Sequence, residues 1–172
     1  SDMHPRVLQA MSRPVIGHLD PRFVEMMDEV KEMLQDAFQT RNELTMAVSA
    51  PGSAGMETCL VNLLEPGDTA VVCINGVFGG RMKAIAERCG ARVVEVRDDW
   101  GRPVDPQKVE DALKANPDAS VVAFVHAETS TGAMSDAEAV AGVARSHGCL
   151  TVVDAVTSVG GSPLEVDGWG LD

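Results

Sequence analysis

Short apolar runs alternate with stretches of helical period along most of this chain, and that alternation limits the fold more than any other feature. The runs are "TMAVS" (45–49), "TAVVCI" (69–74), "RVVEV" (92–96), "SVVAFVH" (120–126) and "LTVVD" (150–154). They are rich in Val, Ile and Ala and bounded by Gly, Pro or Asp, as buried strands are. Between them lie "SAGMETCLVNLL" (53–64), ended by Pro66-Gly67, and "VFGGRMKAIAERCG" (77–90), which stops at Gly90. "VDPQKVEDALKA" follows, with Asp105 and Pro106 as cap and first helical residue, and then "SDAEAVAGVARSHG" (135–148). The last carries a capping-box pattern, Ser135 with Glu138, and stops at Gly148. A longer amphipathic segment, "LDPRFVEMMDEVKEMLQDAFQT", precedes them all, with Asp20 as N-cap and Pro21 opening the helix. Strand–helix alternation of this kind predicts an α/β fold in three layers, a mostly parallel sheet flanked by helices.

Composition narrows the function. The chain has 172 residues, enough for one domain with a real core. Aromatic residues make up only 3% and there is no Tyr, so the nine Met, with Ala and Val, are expected to fill much of that core. The formal charge is −12 and no basic patch stands out, which argues against a nucleic-acid partner. The apolar runs are far too short to span a bilayer. Cys59, Cys73, Cys89 and Cys149 form no CxxC pair and each sits in or beside an apolar segment. They read as buried reduced thiols of a cytoplasmic protein, with no metal site.

In an open α/β sheet, ligands bind outside the carboxyl ends of the strands. Three strand ends here carry unusual residues. "SAPGSAGM" (49–56) brings small residues and Ser53 to a helix start, either a plain turn or a place for an anion. "VHAETSTG" (125–132) presents His126, Glu128, Thr129, Ser130 and Thr131, either a solvated loop or a set of ligand-orienting hydroxyls. His126 reads more readily as a structural histidine. Asp154 closes an apolar strand, where a carboxylate is costly unless a cation or donor meets it. A helix cap, a loop hydrogen bond or a protonated cofactor nitrogen would each satisfy it.

Taken in order, "HPRVLQAMSRPVIGHLDPRFVEMMDEV", "GSAGMETCLVNLLEPGD", "NGVFGGRMKAIAERCGARV", "VHAETSTG" and "VVDAVTSVGGSPLEVDGWGLD" resemble the class V branch of fold-type I pyridoxal-phosphate enzymes. The likeness is greatest to alanine–glyoxylate and serine–pyruvate aminotransferases and runs over nearly the whole chain. It implies pyridoxal 5'-phosphate as cofactor, amino-acid and 2-oxo-acid substrates, and a homodimer. It implies that Gly52 and Ser53 hold the cofactor phosphate and Phe78 stacks on the ring. Thr129 would meet the phenolic oxygen, Asp154 the pyridine nitrogen, and Val156 would pack beneath the ring.

The chain also departs from that pattern. Pro51 stands where many relatives have a hydroxyl residue, and proline offers neither hydroxyl nor N–H. Phe78 replaces the Trp of some relatives. The family's Schiff-base lysine falls in a segment after "GWGLD". The lysines present, Lys31, Lys83, Lys108 and Lys114, all lie in predicted helices, so no catalytic residue is assigned. The expectation is therefore a partial large, cofactor-binding domain over residues 1–172, lacking the lysine segment and the small domain and inactive by itself. The alternatives are a non-catalytic, self-associating fragment and a class V lyase of the cysteine-desulfurase kind, in which a His usually stands where Phe78 does.

Overall fold

A computed structural model describes residues 2–172. Two helices come first, α1 (Pro5–Met11) and α2 (Pro21–Phe38), then α3 (Gly52–Leu63). The alternating part follows as β1 (Thr69–Ile74), α4 (Val77–Arg88), β2 (Arg92–Arg97), α5 (Pro106–Ala115) and β3 (Ala119–Val125). A two-stranded hairpin, β4 (Ala127–Glu128) with β5 (Ala133–Met134), leads to α6 (Ala137–Ser146), β6 (Leu150–Asp154) and the single turn α7 (Val166–Trp169).

The main sheet is parallel throughout, in the order β2-β1-β3-β6. Successive side chains of a strand point to opposite faces, and here both faces are covered. From β1, Val71 and Cys73 join Val109, Leu113, Val122, Phe124, Val140 and Ala144 in one core, under α5 and α6. Ala70, Val72 and Ile74 join Leu60, Met82, Ile85, Val121, Ala123 and Val125 in the other, under α3 and α4. The three-layer expectation therefore holds, with one apolar core on each side of the sheet.

Glycine makes one of these layers possible. A Cβ on Gly79, in the first turn of α4, would stand 2.5 Å from the Cys73 carbonyl oxygen. Only a residue without a side chain lets α4 press this close to β1. The helix starts foreseen at Asp20 and Asp105 are formed. Each carboxylate accepts from the backbone N–H two residues on, of Arg22 and Gln107, at 2.9 Å.

Four expectations need correction. Residues 45–49 form no strand, because no neighbouring strand takes up their backbone groups. The N-cap of α6 is Asp136, whose Oδ1 accepts from Ala139 N–H (2.9 Å), and the Ser135 hydroxyl instead accepts from Val104 N–H (3.1 Å). Met contributes less to the core than expected. Met56 and Met82 are buried, whereas Met26, Met27 and Met33 lie exposed on α2, of which Phe23, Val30 and Leu34 are half-buried and Phe38 packs against the α5/α6 core. Of the cysteines, Cys73 and Cys149 are buried, Cys89 is half-buried and Cys59 is exposed, and all are free. Burial pushes the Cys73 thiol up to about 12, so it is inert as a nucleophile at neutral pH.

No helix among the described residues is long and apolar enough to cross a membrane. Phe124 is the largest fully buried side chain and sits at the centre of the α5/α6 core. Phe124→Ala is expected to cost about 3–5 kcal/mol of unfolding free energy, read as a lower urea midpoint at unchanged slope.

Candidate functional site

The connections determine where the site forms. From β1 the chain passes through α4, on one face of the sheet, to β2. From β3 it passes through the hairpin and α6, on the opposite face, to β6. The two connections part between β1 and β3, and a crevice at the carboxyl ends of such strands is where doubly wound sheets take ligands. The residues at those ends are Asn75 to Phe78 after β1, His126 to Thr131 after β3, and Asp154 to Thr157 after β6.

Their contacts form a closed circuit. Gly52 opens α3, and a Cβ there would meet Val156 Cγ2 at 3.4 Å. The Thr157 hydroxyl meets the Thr129 hydroxyl. Next to Thr129, Glu128 accepts from Phe78 N–H at 3.1 Å. The Phe78 ring lies under the Arg81 guanidinium, 4.8 Å from its centroid, and Arg81 Nη1 donates to Ser53 Oγ at 2.5 Å. Ser53 adjoins Gly52. All six residues singled out in the sequence lie on this circuit or at its margin. Arg81, Glu128 and Thr157 are additions. Arg81 stands one helical turn from Phe78, a spacing visible in the sequence. The meeting of Thr129 with Thr157 depends on the pairing of β3 with β6 and has no local signal.

Asp154 is half-buried and lies opposite Val125 in the sheet register. One carboxylate oxygen accepts from Val156 N–H at 3.0 Å, which directs the group forward along the chain toward Val156. Its other oxygen has no hydrogen-bond partner among the described residues. The acid thus has one local donor and capacity for another. Val156 itself is apolar and 71% exposed.

His126 takes the structural role. It is 1% exposed, its N–H donates to the Asp154 carbonyl (3.0 Å), and its carbonyl accepts from Ser135 N–H (2.8 Å). The ring meets Trp169 edge-on at 5.7 Å between centroids, and Nδ1 has no partner. A separate hollow of about 360 Å³ near the end of β2 is lined by Arg97, Asp98, Trp100 and Lys108, and contains none of the circuit residues.

Residues 7–172 match the family model described as "Aminotransferase class-V". This chain belongs to that family. It is 41% identical over its whole length to alanine–glyoxylate aminotransferase of Oryctolagus cuniculus, covering 44% of that protein. It is 39% identical to (S)-ureidoglycine–glyoxylate transaminase of Bacillus subtilis, across 99% of this chain and 41% of that one. Among solved structures, an alanine–glyoxylate aminotransferase from Nostoc sp. superposes with a TM-score of 0.96 at 44% identity, over 100% of this chain and 45% of that one. The chain therefore spans less than half the length of these relatives. The family implies pyridoxal phosphate as its cofactor, and the residues present fit such a group. They offer a carboxylate with a free oxygen, an apolar side chain on each of two strand ends, a hydroxyl, and a small-residue helix start.

Burial holds the His126 imidazole below its ordinary value, and the charge of Asp136 opposes this only in part. A depressed folded-state value means the unfolded chain binds the proton more readily. This contribution to stability is fully present above about pH 6.5 and is lost as pH falls through the folded value. Between pH 7.5 and 5 the unfolding free energy is expected to fall less steeply in His126→Phe than in the parent, by at most about 1.4 kcal/mol per pH unit, read as a shallower fall in Tm. Parallel Tm profiles would remove His126 from this role.

Proposed function

We propose that this chain builds the cofactor-binding part of a pyridoxal-phosphate aminotransferase. The observation that carries the reading is the closed circuit from Gly52 through Val156, Thr129 and Phe78 back to Ser53, with Asp154 directed toward it. In this reading Gly52 and Ser53 would hold the phosphate with the free N–H groups of the α3 start. Arg81 already donates to Ser53 and adds positive charge beside that helix start, where Pro51 supplies no donor. Phe78 and Val156 would close on the two faces of the ring, and Thr129 would donate to its phenolic oxygen.

When bound, pyridoxal phosphate supplies an electron-withdrawing ring that stabilises charge developing at the amino acid's α-carbon. Asp154 serves this by keeping a proton on the ring nitrogen, since a carboxylate beside that atom favours its charged form. The half-buried position of Asp154 strengthens that effect by limiting solvent screening.

None of the chain's lysines is placed for amine chemistry. All lie in helices, and each is paired with a carboxylate: Lys31 with Glu43, Lys83 with Glu87, Lys108 with Asp98 and Lys114 with Glu110. Hydrogen bonds to those partners raise Lys83, Lys108 and Lys114 above the ordinary value, the reverse of what an amine nucleophile needs.

The names of the relatives support alanine as amino donor and glyoxylate as acceptor, while serine as donor and pyruvate as acceptor rest on the family resemblance alone. The uncovered apolar residues of α1 and α2, among them Leu8, Met11, Val24 and Met33, support pairing with a second copy. The free cysteines support a reducing, cytoplasmic setting.

Titration of the chain with pyridoxal phosphate, followed by the cofactor's visible absorbance, tests the reading. Reversible binding is expected, weakened about tenfold or more by Asp154→Ala, as befits loss of a charge-assisted hydrogen bond. Borohydride is expected to fix no cofactor to Lys31, Lys83, Lys108 or Lys114 by mass spectrometry. An affinity indifferent to Asp154→Ala would sink the assignment.

A further inference from the structure

Glu128 is 0% exposed, yet the proposed chemistry gives it no task. Its carboxylate sits between the connection that leaves β1 and the one that leaves β3. On one side Oε2 accepts from the N–H groups of Phe78 (3.1 Å) and Gly79 (3.3 Å), in the first turn of α4. On the other, Oε1 accepts from the Ser130 N–H (3.1 Å) and hydroxyl (2.7 Å). The Ser130 hydroxyl in turn accepts from Val77 N–H at 3.0 Å, so the same two segments are joined twice.

Space has been cleared for this arrangement. A Cβ on Gly76 would stand 2.4 Å from Glu128 Cγ, 2.5 Å from Cδ and 2.6 Å from Ser130 Oγ. Contacts that short do not occur between real atoms, so any side chain at 76 would displace the carboxylate. A buried acid with every contact a donor, seated against a glycine that admits it, is a built feature and not a stray surface charge.

We infer that Glu128 is a positioning residue: its buried carboxylate locks the start of α4, which carries Phe78, to the hairpin that carries Thr129, across the crevice between β1 and β3. The inference rests on the proposed cofactor reading and adds to it the means by which two contact residues from different connections are kept in register. A hydrogen-bonded carboxylate is a stiff strut, and the geometry it preserves is repaid at binding, because segments already ordered lose less entropy.

The test combines amide exchange with cofactor titration. Glu128→Gln keeps the shape but turns an NH₂ group toward backbone or hydroxyl donors. Without cofactor, the Phe78, Gly79 and Ser130 amides are expected to exchange at least tenfold faster in Glu128→Gln, while those of Val71 to Cys73 in β1 keep their protection. Unchanged exchange at Phe78 and Gly79 would overturn the strut whatever the chain binds.

In titrations with pyridoxal phosphate, Glu128→Gln is expected to weaken binding about tenfold. Phe78→Leu is expected to weaken it several-fold in the parent but hardly at all in the Glu128→Gln background, because the two act through one geometry. Additive losses would show that Glu128 supports folding only and does not act through Phe78. If Glu128→Gln does not fold, Ser130→Ala removes one corner of the strut and is expected to weaken binding a few-fold in the same coupled manner. Equal affinity in Ser130→Ala and the parent would then overturn the inference. Binding that depends on Asp154 but not on Glu128 would leave the cofactor reading standing and the inference refuted. Absence of binding by the parent chain would refute both.

Discussion

Burial of both faces of one parallel sheet governs the rest of this molecule. With α3 and α4 packed on one side and α5 and α6 on the other, β1 and β3 have almost no room for polar side chains along their length. Polar groups are pushed to the strand ends, where loops can hydrogen-bond them and solvent can reach them. The strands are parallel, so one set of ends gathers His126, Glu128, Thr129, Asp154 and Thr157 within a single rim. The chemistry is concentrated by the topology before any one side chain is considered.

Much of that framework was legible because each strand satisfies local and global demands at once. Residues 69–74 and 150–154 form strands with the limits their apolar runs suggested, the first buried throughout and the second, at the sheet edge, buried at Thr151 and Val152. The failures share a cause. "TMAVS" has a strand's composition but no neighbouring strand, and pairing is a property of the sheet and not of the segment. Ser135 fits a capping pattern, yet the adjacent Asp136 takes the cap while the serine meets Val104 from a distant loop. Helical period in α2 foretold the helix correctly, but period alone does not say what covers the apolar face. The short helix α1 went unread because its seven residues carry too little pattern.

The site divides in a similar way. An acid closing an apolar strand is conspicuous in one dimension, and Asp154 stood out for that reason. Gly52, Phe78, Thr129 and Val156 were singled out through family resemblance, which supplies only their expected roles, and the fold brings them into one circuit of contacts. Glu128 was visible only as one polar letter among several in "VHAETSTG". Its weight comes from meeting a helix start some fifty positions earlier, a relation that spacing does not encode.

The missing side chain at Gly76 has a consequence for how this sequence can drift. Residues 76 and 128 occupy the same small volume, so neither can change size independently. A larger residue at the first position becomes admissible only once the second has shortened, and a shorter acid would abandon one of its two neighbours. Descendants of this chain should therefore inherit the two as a couple, exchanging both or neither.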